Sequence, residues 1–123
     1  MRIRPERIAQ QIHREVADII ERRLRDPGLS HWVNVTGVEV NHDLSVARVF
    51  VSVLHQGEER DRTLEALRRA SGFVRHELAV RLDLREVPDI RFQLDTSVEK
   101  GARVDELLRK LERGEPVADE DES

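Results

Sequence analysis

Arginines surround an Ala70-Ser71-Gly72 segment that interrupts a helical pattern, and such an arrangement suits the binding of phosphate. Across residues 61–82 the apolar side chains recur at helical spacing: Leu64, Leu67, Val74, Leu78 and Leu82. The stripe omits position 71, and Gly/Ser pairs kink helices, so the sequence predicts two helices joined by a kink. Arg75 follows the break, where free backbone N–H groups and the helix dipole favour an anion. Arg68 lies seven residues earlier, on nearly the same helix face.

Most other arginines have a carboxylate three or four residues away, the spacing of helical salt bridges. We predict four such surface pairs: Arg14 with Asp18, Arg25 with Glu21, Arg69 with Glu65, and Arg81 with Glu77. No acidic residue stands at this spacing from Arg4, Arg7 or Arg75. Arg68 has Glu65 three residues before it, and we include it because it shares the helix face of Arg75. Together with the break itself, the predicted RNA-binding set is Arg4, Arg7, Arg68, Ala70, Ser71, Gly72 and Arg75.

The remaining residue types give no sign of an enzyme. The five histidines are scattered without metal-ligand spacing, and the chain contains no glycine-rich nucleotide loop. His42-Asp43 falls in a predicted turn, where Asx-turn hydrogen bonding explains the aspartate. Asp95-Thr96-Ser97 has no adjacent base and fits a helix start. We expect no catalytic residue, no metal site, no cofactor and no small-molecule substrate.

The four aromatic residues are Trp32, Phe50, Phe73 and Phe92. Phe50 lies in a strongly apolar strand, and Phe92 has the inward phase of an alternating strand. We therefore assign the aromatic side chains to the core, and not to a platform on which bases stack.

Composition is typical of one small domain with a highly charged surface. The chain has 123 residues, 37% of them charged, and no cysteine, which fits a reducing compartment. The formal net charge of −4 depends on the tail, because residues 115–123 hold five acidic and no basic side chains. The N-terminal residues carry arginines and no apolar run, and the longest apolar stretch, near 49–54, is too short to span a membrane. We predict a cytoplasmic protein with no membrane partner.

The hydrophobic periodicity predicts an α+β domain. It indicates a helix over 5–25 ended by Asp26-Pro27-Gly28, an antiparallel hairpin of strands 32–40 and 45–54, the kinked helices, a strand over 89–95 and a last helix to about 113. A change of phase predicts a β-bulge at Thr36-Gly37. Thr96 and Glu99 have the spacing of a capping box. Three strands then carry helices on one face.

Several long segments, in this order, resemble the bacterial ribosome-binding factor A family over residues 4–111. They are RPERIAQQIHREVADII, DPGLSHWVNVTGVEVNHDLSVARVFVSVL, ASGFVRHELAVRL, LREVPDIRF and DTSVEKGARVDELL. The resemblance implies a type II KH-like fold, ordered α-β-β-α-kink-α-β with an added C-terminal helix and a three-stranded sheet. In that family an Ala-x-Gly kink, here Ala70-Ser71-Gly72, replaces the usual Gly-x-x-Gly loop. We expect one KH-like domain over 1–113 and a disordered acidic tail over 114–123.

The resemblance also implies a function. Such a protein is a non-enzymatic factor that binds the free small (30S) ribosomal subunit and promotes late maturation and 5′-end processing of 16S rRNA, most importantly in the cold. We also expect a monomer. The residues leave two alternatives open. One is a protein–protein adaptor that uses a sheet edge or the amphipathic first helix, and the other is a KH domain that binds short single strands.

Overall fold

The computed structural model describes residues 4–24, 33–54 and 57–114. Its elements, in chain order, are α1 (Pro5–Arg22), β1 (Val33–Val40), β2 (Val46–Val53), α2 (Glu58–Arg69), α3 (Ser71–Leu82), β3 (Asp89–Leu94) and α4 (Ser97–Glu112). This order confirms the predicted α+β class and the predicted kink. The proposed helix stop at residues 26–28, Trp32 and the acidic residues 115–123 lie outside the described ranges.

The three strands form one mixed sheet in the order β1-β2-β3. A turn joins β1 to β2 as the predicted antiparallel hairpin, whereas β3 pairs with β2 in parallel after the crossover through α2 and α3. The pairing register shifts between Val35 and Gly37, which confirms the predicted bulge. Because of the extra residue, Val33 and Val35 before the bulge and Val38 after it all lie on the core face of the sheet.

The core lies on one face of this sheet, beneath α1, α2 and α3. Its fully buried side chains come from all three helices and from β2 and β3, and the largest are Phe92, Ile8, Ile12, Ile19, Leu67 and Leu78. Pro5 begins α1 with its φ already suited to a helix, and the stripe of isoleucines and Val16 then points inward. Among the α4 residues whose side chains the structure describes, none belongs to this core.

The structure corrects two of the aromatic assignments. Phe92 is buried as predicted, but Phe50 is half-buried and is absent from the core cluster. Strand alternation is the reason, since Ala47, Val49 and Val51 are buried and Phe50 must face the other way. Phe73, one residue after Gly72, leaves 40% of its surface exposed.

Ion pairs hold α3 against α1. Arg81 Nη1 lies 2.7 Å from Asp18 Oδ2 and 3.1 Å from Glu15 Oε1, and Arg23 at the end of α1 lies 3.6 Å from Glu77 on α3. The Arg81 hydrogen bond lowers the pKa of Asp18. Because residue 81 contacts residues 15 and 18 while residue 77 contacts residue 23, the two helices run antiparallel.

The start of α4 is tied to the sheet by Asp95. Its carboxylate accepts hydrogen bonds from the Thr36 hydroxyl on β1 and from the backbone N–H of Ser97. These hydrogen bonds lower the pKa of Asp95 to about 2, and the bond from Thr36 has the largest effect. The predicted capping box is wrong, because Thr96 occupies the cap position without a side-chain cap bond. The aspartate one residue earlier takes that role.

Candidate nucleic-acid interface

The Ala70-Ser71-Gly72 break consists of one turn residue, Ala70, between two helices. Ala70, at φ −85° and ψ 0°, ends α2 and begins α3, and its carbonyl accepts the N–H of Val74 at 2.9 Å. The Ser71 hydroxyl donates to the Arg68 carbonyl at 2.9 Å and secures the junction. The N–H groups of the first three residues of α3 therefore point out of the helix start.

Gly72 is exposed, and its conformation does not require glycine. It lies within helical backbone, and a Cβ placed on it would meet no atom within 4 Å. Glycine at an exposed helical position lowers stability relative to alanine. The absence of a side chain therefore leaves open space above the backbone at the start of α3, which an external phosphate or ribose could approach closely.

Arg68 and Arg75 flank the break, and each is anchored by a backbone carbonyl. Arg75 donates from Nε and Nη2 to the Val87 carbonyl at 3.1 and 2.9 Å, and Arg68 donates from Nε to the Phe92 carbonyl at 3.3 Å. Within the described ranges neither guanidinium has a carboxylate partner. The sequence spacing suggested that the Arg75 side chain has no partner, but in the structure the Val87 carbonyl binds it. An arginine has five N–H donors, so both side chains keep donors for a phosphate.

The Arg68 contact also covers part of the sheet edge. The Asp89 N–H donates to the Ser45 carbonyl at 2.8 Å, so alternate residues of β3 from Asp89 onward direct their backbone groups towards β2. The Phe92 carbonyl therefore faces the open edge, where the Arg68 side chain caps it. A capped edge is a poorer template for an added strand.

A second basic surface lies on the first turns of α1. Arg4 provides the carbonyl that begins the helix, accepting the N–H groups of Arg7 and Ile8 at 3.1 and 3.2 Å. Arg7 and Arg14 are exposed and line a shallow depression together with Gln10 and Gln11. Every one of these long side chains carries hydrogen-bond donors, which suits phosphate and base edges alike.

Arg14 is a residue that the sequence reasoning missed. Its predicted partner, Asp18, is instead bound by Arg22 at 2.7 Å and by Arg81 at 2.7 Å. The predicted pairs of Arg69 with Glu65 and of Arg81 with Glu77 are present at 3.9 and 3.7 Å, and Arg25 lies outside the described residues. Spacing along one helix could not reveal that a neighbouring helix competes for Asp18.

The predicted residues form two groups and not one patch. Arg7 precedes Glu15 by eight residues, about 12 Å along α1. Arg75 precedes Arg81 by six residues, about 9 Å along the antiparallel α3 and in the opposite direction. Since Arg81 contacts Glu15, the two groups are on the order of 20 Å apart, a span that covers several nucleotides of an RNA backbone.

The sites considered for catalysis have structural explanations. Asp43 accepts hydrogen bonds from the Ser45 hydroxyl and, second, from the Ser45 backbone N–H. Both bonds lower the pKa of Asp43, the hydroxyl bond most, and they confirm the Asx-type turn. In the part of the chain that the structure describes, no group of three or more His, Cys, Asp or Glu side chains could hold a metal ion. Over the same ranges, no helix has the length and apolarity to cross a membrane.

Comparison with known proteins decides the family. The model of the family described as ribosome-binding factor A matches residues 4–108. The chain belongs to the ribosome-binding factor A family. Ribosome-binding factor A of Acetivibrio thermocellus is 45% identical over 107 residues, which are 87% of this chain and 87% of that protein.

Solved structures of the same family have the same fold. The crystal structure of ribosome-binding factor A from Thermus thermophilus aligns with a TM-score of 0.65 and 29% identity, covering 73% of this chain and 93% of that one. A homology model of the Thermus thermophilus factor, as fitted into the cryo-EM map of its complex with the 30S subunit, aligns with a TM-score of 0.60 and 30% identity, covering 72% of this chain and 91% of that one. These neighbours confirm the predicted fold class.

Proposed function

We propose that this protein is a non-enzymatic assembly factor that binds the free small (30S) ribosomal subunit. In this proposal it contacts 16S rRNA, promotes late maturation and 5′-end processing of that rRNA, and leaves before translation. It acts as a cytoplasmic monomer and is needed most at low temperature. The observation that carries the proposal is membership of the ribosome-binding factor A family across residues 4–108.

The geometry supports binding to an RNA backbone over direct reading of sequence. Arg7 and Arg14 lie on one face of α1, with Arg4 at the N-cap of that helix. Arg68 and Arg75 lie beside the break some distance away. Guanidinium groups at separate points fix the position and orientation of a folded RNA, while base contacts are not required. A chain whose basic residues are nearly balanced by acidic ones avoids indiscriminate binding to any RNA.

Such a protein assists maturation through a difference in affinity. If it binds one rRNA conformation ten times more tightly than another, it shifts that equilibrium by about 1.4 kcal/mol. One charge-assisted arginine–phosphate contact that is present in only one conformation contributes about that much. Two basic groups at a fixed separation favour the conformation in which both meet phosphate, and no covalent chemistry is needed.

Sedimentation of cell extract tests the proposal. The tagged protein should migrate with free small subunits and be absent from complete ribosomes and polysomes. Joint replacement of Arg7 and Arg14 by glutamate should move it towards the top of the gradient, because both side chains are exposed and make no described ion pair. The control is Arg22→Glu, which also reverses an exposed charge on the same helix but at its opposite end. If the wild-type protein is absent from all ribosomal fractions, the proposal is wrong.

Salt dependence separates RNA binding from the adaptor alternative. Four phosphate contacts give a log–log slope of about −3, so affinity should fall roughly 60-fold between 50 and 200 mM salt. An apolar interface would change little over this range. Binding to short oligonucleotides as tight as binding to the subunit would favour the single-strand KH alternative.

A further inference from the structure

Two glutamines lie between the exposed arginines of α1. The four side chains recur at i, i+3, i+4 and i+7 and therefore project from one side of the helix, opposite its buried stripe. We call this surface the α1 face; it consists of Arg7, Gln10, Gln11 and Arg14, which surround a depression of about 340 Å³. Within the described ranges, none of these four side chains makes a hydrogen bond or an ion pair. All of their polar groups are therefore available to a ligand.

The spacing of the α1 face fits two phosphates and the surface between them. Arg7 and Arg14 are seven residues apart, which is about 10 Å along the helix axis. Guanidiniums at that separation bind two different phosphates, and the shorter glutamine side chains then face the sugars between those phosphates. A carboxamide both donates and accepts hydrogen bonds, and so does the ribose 2′-hydroxyl. The arrangement therefore matches RNA in particular.

These side chains suit a double helix better than a single strand. Single-stranded RNA is bound largely by stacking of its bases on aromatic rings, and the α1 face has no aromatic residue. Double-helical RNA instead presents a wide, shallow minor groove, where 2′-hydroxyls lie between two rows of phosphates. Arginines that flank glutamines reproduce this order of groups.

The chemistry of the α1 face argues against a protein or a membrane as its ligand. It offers no apolar side chain as an anchor, and its long side chains lose rotamer freedom when they are fixed against a protein. A helix that lies on a membrane presents apolar residues to the lipid. Asp18 and Glu21 lie on the same side of α1, one and two turns beyond Arg14. The contact with RNA is therefore confined to the first three turns of the helix.

We propose that the α1 face docks across the minor groove of a double-helical segment of rRNA. Its arginines bind phosphates on the two sides of the groove, and Gln10 and Gln11 exchange hydrogen bonds with ribose 2′-hydroxyls. This inference rests on the proposed function and adds a specific kind of RNA structure as the ligand of α1. The two glutamines are specificity-determining residues, since a DNA duplex has phosphates but no 2′-hydroxyl.

Replacement of both glutamines in the full-length chain tests this proposal. Gln10→Ala combined with Gln11→Ala should weaken binding to purified small subunits, and to an RNA duplex of roughly 16 base pairs, about tenfold, because two hydrogen bonds are lost. Tm should not fall, because alanine is the better helix former. The salt dependence of binding should keep its slope, because no phosphate contact is removed.

The control for this variant is Asp61→Ala combined with Arg62→Ala on α2. It also removes two neighbouring, exposed polar side chains from a helix without changing the net charge. Binding to subunits and to the RNA duplex should be the same as for the wild-type chain.

A comparison of duplexes with one sequence identifies the groups that are recognised. The wild-type chain should bind the RNA duplex about tenfold more tightly than the DNA duplex or either RNA strand alone, though less tightly than the small subunit. The glutamine double variant should lose most of this preference for RNA over DNA. Arg7→Ala with Arg14→Ala should weaken binding to both duplexes and make the log–log salt slope shallower by about 1.5.

The other outcomes would assign the α1 face differently. Unchanged subunit binding by the glutamine double variant would overturn the inference and leave the proposed function standing. Equal affinity of the wild-type chain for RNA and DNA duplexes, no binding to the RNA duplex, or tighter binding to a single strand would also overturn it. A loss on the subunit without a loss on the RNA duplex would mean that the glutamines contact a ribosomal protein, which contradicts the inference. Failure of the wild-type chain to bind subunits would overturn the proposed function and, with it, the assignment of the duplex to rRNA.

Discussion

Replacing Gly72 with alanine should change folding stability and small-subunit affinity in opposite directions, so the two roles of this residue can be measured separately. The backbone at Gly72 is helical, and the added methyl group would meet nothing within 4 Å. Alanine is favoured over glycine by up to ~1 kcal/mol within a helix, and about half of that is expected in a first turn. We therefore expect Gly72→Ala to raise the free energy of unfolding by about 0.5 kcal/mol and Tm by roughly 2–4 °C.

The assay pairs thermal unfolding with titration of small subunits. A contact that needs close approach to the Gly72 backbone should be weakened about fivefold or more by a methyl group in the path of a phosphate. The control is Ala79→Gly, a glycine substitution on the same helix in the opposite direction, which should lower Tm and leave subunit affinity unchanged. A lower Tm for Gly72→Ala would refute the structural reasoning. A higher Tm with unchanged affinity would mean that the glycine is not a contact point.

The other predictions concern contacts that position the interface. Arg75→Ala should lower the free energy of unfolding in urea by about 1–2 kcal/mol, because the Val87 carbonyl loses both donors. A decrease below ~0.3 kcal/mol would show that water replaces the arginine as hydrogen-bond donor to that carbonyl. Arg81→Met should lower Tm more than Arg22→Met, since Arg81 joins two helices and Arg22 contacts only its own; equal effects would contradict the bridging role. Asp95 has a folded pKa of about 2 against a usual 3.8, so its contribution is complete above about pH 4 and is lost as pH falls towards 2. Asp95→Asn should flatten the wild-type fall in urea midpoint across that window, and an unchanged slope would contradict this assignment.

The sequence was sufficient for features set by local periodicity. The alternation of β3, the phase slip at the bulge and the isoleucine face of α1 each follow from where neighbouring side chains point. The break at Ala70 was also predictable, because a missing apolar position and an adjacent glycine are visible within one segment. Parallel pairing of β3 with β2 was not predicted, since it depends on where the α2–α3 crossover returns the chain.

The candidate site was less predictable because its contacts cross between elements. Arg75 lacks an acidic neighbour in sequence but finds the Val87 carbonyl twelve residues away. Arg14 was assigned to Asp18, which Arg81 on another helix takes. Phe50 lies in an apolar strand, yet its side chain faces away from the core because the neighbouring Val49 and Val51 face towards it. Rules of spacing within one helix or strand do not include such competitors.

The most direct test of the central claim is the affinity of the labelled chain for purified small subunits, free and joined in complete ribosomes. At the same salt concentration we predict binding at least tenfold tighter to the free subunit, and tighter still to subunits that retain unprocessed 16S rRNA. Equal affinity for free and joined subunits, or no binding to either, would contradict the account of this protein as a small-subunit assembly factor.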